Sequence, residues 1–177
     1  MNQKINNKEE KLPYAYYKRL KPFQKKIYEK SDQISYVNLP RVDLFQSVLK
    51  EMVEALATGN QIKTEEKVQQ FLTYLCHLFG IPPVKAKVLE RRPSKNWGEL
   101  HGLYQCDSRR GLYLITVWMR TAKRVQVVAF RSFLRTVLHE ALHHLDYTYF
   151  KLGDSFHTEG FYKRESSLFR QLIGESS

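Results

Sequence analysis

Long apolar runs are absent from this chain of 177 residues. No stretch of about 18 consecutive apolar residues occurs, which argues against a membrane span. The opening residues, MNQKINNKEEKLPY, are polar and have no apolar core of the kind a signal peptide carries, so the expected location is the cytoplasm. Cysteine is scarce: Cys76 and Cys106 do not form a CxxC pair, which excludes a cysteine zinc ribbon, and nothing in the sequence requires a disulfide. Acidic residues are in deficit, 18 against 29 Lys and Arg, for a formal net charge of +11. A surplus of that size suits polyanionic partners, nucleic acid or acidic protein surfaces, about as well as it suits a plain soluble surface. Internal repeats are also lacking, and the only biased tract is the N-terminus.

What is present, 42% hydrophobic residues, is enough to bury a core without covalent staples. Residues 1–12, rich in Asn, Lys and Glu, read as a disordered tail. The remainder, 13–177, reads as one domain with a helical part (13–80) and a part (84–177) that holds a sheet and further helices. Between Lys4 and Lys30 nine basic residues are interleaved with Tyr14, Tyr16, Tyr17, Phe23 and Tyr28. That mixture either grips a nucleic-acid backbone and stacks on bases, or packs its rings inward and leaves its lysines in water. The absence of a nucleic-acid-binding motif favours the second.

Apolar positions at helical spacing predict a helix over 41–58 and a second from Thr64 to Leu78, closed by Gly80 and Pro82-Pro83. Strands are expected at Val84–Leu89, Leu100–Cys106 and Gly111–Trp118, the last two as a hairpin or part of a meander. From Val127 the period is again helical. Phe130, Phe133, Leu134, Val137, Leu138, Ala141 and Leu145 make a wide apolar face, and Pro and Gly are absent from Phe130 to Leu152. A last helix is expected from about His157 to Leu172.

The segment His139-Glu140-Ala141-Leu142-His143 is an H-E-x-x-H motif. Residues four apart share a helix face, so His139 and His143 can aim one nitrogen each at a single ion. Glu140 is placed to reach a water on that ion instead of the ion itself. Zinc lowers the pKa of such a water towards about 7, and Glu140 would act as general base. At this composition a chance match is expected only about 0.015 times. The motif also lies inside a strong apolar helix, where two surface histidines would be out of place.

Two ligands do not complete a catalytic zinc site, which takes three plus water. His157 is the first candidate for the third, because the turn Lys151–Ser155 lets the chain double back. Glu159 is the second and His101 the third. His77 reads as structural, and His144, about 100° round the helix from His143, as a packing residue. Asp146 shares the face of the two histidines and either supports a ligand or pairs with Lys163 or Arg164. The sequence does not identify the acceptors for the histidines' second nitrogens. Tyr147, Tyr149 and Tyr162 are the nearby hydroxyls for oxyanion stabilisation.

The stretch from about Val127 to Leu172 resembles the SprT-like metalloproteases of the zincin group, in which the HExxH helix is followed by a histidine in an H-G-x-x-F motif. Here His157-Thr158-Glu159-Gly160-Phe161 matches at His and Phe, with Thr158 in place of the motif's glycine. The resemblance implies His139, His143 and His157 as zinc ligands and Glu140 as catalytic base. It also implies an edge strand before the helix that holds extended substrate, for which Gly111–Trp118 is the candidate. Proteins of that family are associated with DNA-bound protein substrates; the zinc ribbon that often follows their domain is missing here. The fold expected is α+β and zincin-like, with helices on a small, mostly antiparallel sheet. The activity expected is a zinc-dependent metallopeptidase acting on protein or peptide. The alternatives are a nucleic-acid-associated protein with a restricted or absent protease site, a non-catalytic zinc domain, and a zinc hydrolase of another substrate class.

Overall fold

The computed structural model describes residues 14–95 and 98–174; the tail expected over 1–12 lies outside them. After a 3-10 turn, Ala15–Arg19, the order is α1 (Pro22–Gln33), α2 (Asp43–Ala57), α3 (Gln61–Phe79), β1 (Lys85–Arg91), β2 (Ser94–Lys95), β3 (Gly98–Glu99), β4 (Gly102–Asp107), β5 (Leu112–Arg120), α4 (Phe130–Thr148) and α5 (Glu159–Ile173). The architecture is α+β, with five α-helices among the described residues.

Helix boundaries follow local chemistry. Pro22 opens α1, where a missing amide hydrogen costs nothing. The Asn60 side chain caps α3 by accepting from the Lys63 amide at 3.0 Å. Gly80 ends α3 in the left-handed region, φ 60°, which favours glycine. Helix α1 lies in the part expected to be helical, but its own bounds leave no clear period: its face is rich in lysine, and its inward positions include Ser31, an unusual core residue.

The main sheet has the order β1-β5-β4 and is mixed. β4 and β5 form the expected antiparallel hairpin, Gly102 opposite Val117 and Asp107 opposite Leu112. β1 pairs parallel with the other side of β5, Lys85 opposite Leu114 and Arg91 opposite Arg120. The sheet expected to be mostly antiparallel thus includes one parallel pair, and the choice of Gly111–Trp118 as an edge is corrected. That strand is central because it is the most apolar. Ile115, Thr116, Val117, Trp118 and Met119 are all buried, whereas β4 ends in exposed Gln105, Cys106 and Asp107.

The two outer edges of this sheet differ. Along β1, three α3 side chains spaced by four take the free backbone groups: Gln61 donates to the Val88 carbonyl, Glu65 accepts from the Val88 amide, and Gln69 bonds the Ala86 amide and the Val84 carbonyl. β4 has β5 on one side only. Helix α4 lies across the sheet, with Phe133, Leu134, Val137, Leu138, Ala141, Leu142 and Leu145 in one core cluster with Val88, Ile115, Val117 and Met119.

The N-terminal segment packs only part of its rings inward: Tyr28 is buried and Tyr16 and Tyr17 are half-buried, whereas Tyr14 and Phe23 are exposed. Tyr28 makes edge contacts with Tyr16 and Tyr17, and Phe156 joins the group. Lys18, Arg19, Lys21 and Lys26 are exposed.

Candidate metal centre

Helix α4 carries His139, Glu140 and His143. The chain then turns at Tyr149–Ser155 and re-enters at α5. The turn is fastened by the Leu152 amide donating to the Asp146 carbonyl at 2.8 Å and by the Ser155 amide donating to Asp154 at 2.9 Å. Thr158 is the N-cap of α5, its hydroxyl accepting from the Phe161 amide at 3.0 Å. Its backbone is extended (φ −83°, ψ 170°), so the residue that departs from the H-G-x-x-F motif sits where threonine is a favoured residue. This cap sets His157 beside the two α4 histidines.

The three imidazoles meet at one point. Nε2 of His157 is 2.9 Å from Nε2 of His139 and 3.1 Å from Nε2 of His143. The opposite nitrogens of the two α4 histidines are engaged. His139 Nδ1 donates to Glu165 at 3.0 Å, and His143 Nδ1 donates to Ser155 Oγ at 2.7 Å, which passes its own hydrogen to Asp146 at 2.7 Å. A neutral imidazole that donates through Nδ1 presents a lone pair at Nε2. The donor set is thus at least two lone pairs, with a third nitrogen in contact with both, on groups that together can hold a metal ion. Tetrahedral zinc with Zn–N near 2.0–2.1 Å places its ligand nitrogens about 3.3 Å apart, so the separations fit with small outward shifts. Burial, reinforced by His139 and His157, pushes His143 down to about 3, and burial also lowers His157. Both are neutral, ligand-ready imidazoles at physiological pH. Phe161, fully buried, lies under all three, with ring centroids 4.9–5.1 Å away.

Glu140 is buried on the sheet side of α4, facing β4. Burial pushes its carboxyl up to about 7, against the opposing pull of His139 and of the Tyr104 amide that bonds it. Its room comes from Gly102: a Cβ there would lie 2.7 Å from Glu140 Cγ and 2.8 Å from Thr136 Cγ2, and closer still to a carboxylate oxygen.

Asp146 does both things its position suggested. One oxygen holds Ser155; the other accepts from Arg164 at 2.9 Å, in an ion pair with both side chains at 0% exposure. Arg164 also donates to the Ser31 and Ile34 carbonyls and to the Ser31 hydroxyl. Residues at the end of α1 are thereby linked to His143 through Arg164, Asp146 and Ser155.

The other candidates stand apart from the convergence. Glu159 pairs with Lys163 at 2.8 Å. His101 lines the rim of the groove. His77 is exposed at the end of α3. His144 is buried: Nε2 donates to the Pro82 carbonyl at 2.8 Å, so Nδ1 accepts from the Tyr104 hydroxyl at 3.0 Å. Of the tyrosines, Tyr147 lines the groove and donates to Asp154 at 3.3 Å. Tyr162 stacks on His157 at 5.9 Å, and Tyr149 packs edge-on against Phe79.

Glu165, Ser155 and Gly102 were not anticipated. For Glu165 a signal existed. On α5 the inward stripe runs through Phe161, Leu168 and Leu172, and Arg164 and Glu165 fall on it at the three- and four-residue steps. Charged residues in a core stripe call for partners.

The site opens into a groove of about 630 Å³ between α4 and β4. Taken together, fold and site define an α+β protein with a three-histidine cluster able to hold a metal ion. Searches against family models, curated proteins and solved structures found no match to the chain. Among the described residues no helix is long and apolar enough to cross a membrane.

Proposed function

We propose that this protein is a zinc-dependent peptidase of the zincin type, with His139, His143 and His157 as metal ligands and Glu140 as proton carrier. The observation that carries the reading is the convergence of three Nε2 atoms, those of His139 and His143 lying 2.9 and 3.1 Å from that of His157, beside the buried Glu140 carboxyl on α4. Imidazole donors suit zinc, and the resemblance of residues 127–172 to SprT-like metalloproteases points to zinc among the ions such donors can hold. Zinc at this point supplies Lewis acidity and an acidified water.

The chain's own residues supply the rest. Glu165 and the Ser155–Asp146 pair orient His139 and His143 and fix their tautomers. A Glu140 carboxyl that ionises near neutrality can take a proton from the attacking water and release it to the leaving amine nitrogen as the C–N bond breaks. The edge of β4 is the place for an extended peptide backbone, by strand addition. Against a purely structural metal site stands the open groove beside the cluster.

Hydrolysis of an unfolded protein substrate by the zinc-loaded chain is the test. Cleavage that is chelator-sensitive and lost in Glu140→Gln supports the reading; undiminished cleavage by that variant removes it. Gly102→Ala gives a second check. The new Cβ must displace Glu140, and a displacement of about 1 Å costs roughly 100-fold in rate. Zinc content, set by three residues that Gly102 does not touch, should stay the same. A Gly102→Ala protein with wild-type turnover would show that Glu140 is free to move without consequence.

A further inference from the structure

The groove has a direction, and on the peptidase reading it has a substrate preference. Arg135, His139, His143 and Tyr147 are spaced by four along α4, and all four line the groove. Such positions form one stripe with about 6 Å between neighbours. The metal cluster therefore has an arginine one turn before it and a tyrosine one turn after it.

β4 runs in the same sense as α4. Gly102 lies against Thr136 and Glu140, while the Tyr104 ring stacks with His143 at 6.3 Å and with Tyr147 at 6.1 Å. With β1's outer edge taken up by Gln61, Glu65 and Gln69, the outer side of β4 is the sheet edge that faces the groove. A peptide pairing antiparallel to β4, the more stable mode, has its N-terminal side at the tyrosine end and its C-terminal side at Arg135.

Arg135 is held ready for an anion. Its guanidinium lies 4.0 Å from the ring centroid of buried Phe169, and Nη1 donates to Glu165 at 3.3 Å. Nε and Nη2 have no acceptor among the described residues, and the side chain is 45% exposed. Glu165 gives its other oxygen to His139. Of the other carboxylates that line the groove, Glu99 is paired with Arg92 at 3.6 Å and Glu140 is the buried proton carrier of the proposed reaction. One turn of helix corresponds to about two residues of extended peptide.

We infer that Arg135 is a specificity residue, and that the groove selects peptides with an Asp or Glu side chain one or two positions C-terminal to the cleaved bond. The inference rests on the peptidase reading for its cleaved bond and on the groove alone for its charge preference.

The test is cleavage of a random-sequence peptide library by the zinc-loaded protein, with cut positions read by mass spectrometry. The expected profile has acidic residues favoured over basic ones by about tenfold at the first or second position after the cut, a gain of the size a charge-assisted contact gives. In Arg135→Glu the preference should invert towards Lys and Arg. A mere loss of folding or zinc lowers all cuts alike and leaves the profile unchanged, so the inversion reports the contact itself. A profile without acidic bias, a bias that survives Arg135→Glu, or a bias confined to free chain-terminal carboxylates overturns the inference and leaves the peptidase reading intact. Conversely, absence of cutting, together with Glu140→Gln protein that binds Glu-containing over Lys-containing peptides in an Arg135-dependent way, upholds the groove preference and removes the hydrolysis. Neither cutting nor binding overturns both.

Discussion

Replacing Arg164 with alanine is expected to destabilise the metal-free protein by about 3–5 kcal/mol, the cost of stranding one member of a fully buried ion pair. The change leaves the fully buried Asp146 carboxylate without its cation and removes one donor from each of the Ser31 and Ile34 carbonyls. Burial raises the Asp146 carboxyl above its usual range in spite of Arg164 and Ser155, and lowers Arg164 in spite of Asp146. Desolvation thus outweighs attraction for both partners, so the pair is a poor source of net stability. Its retention is better explained by what it holds, Ser155 and through it His143. The double change Asp146→Leu with Arg164→Met should therefore recover most of the loss. The same double variant should bind zinc about 10–100-fold more weakly, because a metal-bound histidine has lost its orienting partner. Urea unfolding of the metal-free variants and chelator competition of the loaded ones measure the two effects separately. A single variant that loses less than about 1 kcal/mol contradicts the first estimate.

The second large effect concerns Glu140→Gln. If Glu140 is the general base, as proposed, its removal lowers the rate by about 10²–10⁴-fold, or roughly 3–5 kcal/mol in the barrier. The same substitution should stabilise the metal-free protein at alkaline pH. The folded-state ionisation of Glu140, pushed up to about 7, lies above its ordinary 4.5. Between those values the folded chain binds the proton more tightly than the unfolded chain does, so this group's contribution becomes less favourable as pH rises through the window. Above about pH 7 the buried carboxylate costs up to roughly 3 kcal/mol, and glutamine does not carry that cost. The stabilities of the two metal-free proteins should converge near pH 4 and separate towards pH 8. His143 acts in the opposite direction. Its folded-state ionisation is depressed from 6.5 to about 3, so metal-free stability should fall as pH drops below about 6.5, in wild type and variant alike. Thermal melts of chelated protein across pH 4–8 give both slopes. Equal stabilities at pH 8 would mean that Glu140 is better solvated than its burial implies.

How much of this the sequence discloses varies with the range of the interactions. Helices α2, α3, α4 and α5 are legible because each writes its buried face at the helical period, and the HExxH spacing is a property of one helix. His157 is legible through the turn before it. The β4–β5 hairpin is local and can be read, but β1's parallel pairing with β5 joins residues some thirty positions apart and leaves no local mark. That pairing converts Gly111–Trp118 from an edge into the sheet's centre. The mainly apolar run from Ile115 to Met119, broken only by Thr116, is the available clue, since an edge strand normally alternates. Ser155 is not legible, and Glu165 only as a charge on a core stripe, because a histidine's second partner can come from anywhere in space. Gly102 escaped because its role is the absence of a side chain next to Glu140, which no pattern within β4 reveals.

The central claim is that three histidines form one zinc site, and zinc stoichiometry tests it most directly. The protein would be stripped with chelator, reloaded with zinc, dialysed, and analysed for the metal alongside His157→Ala. About one zinc per chain in the wild type, lost or greatly weakened in the variant, is the predicted result. No zinc retained by the wild type, or equal retention by His157→Ala, would contradict the account at its foundation.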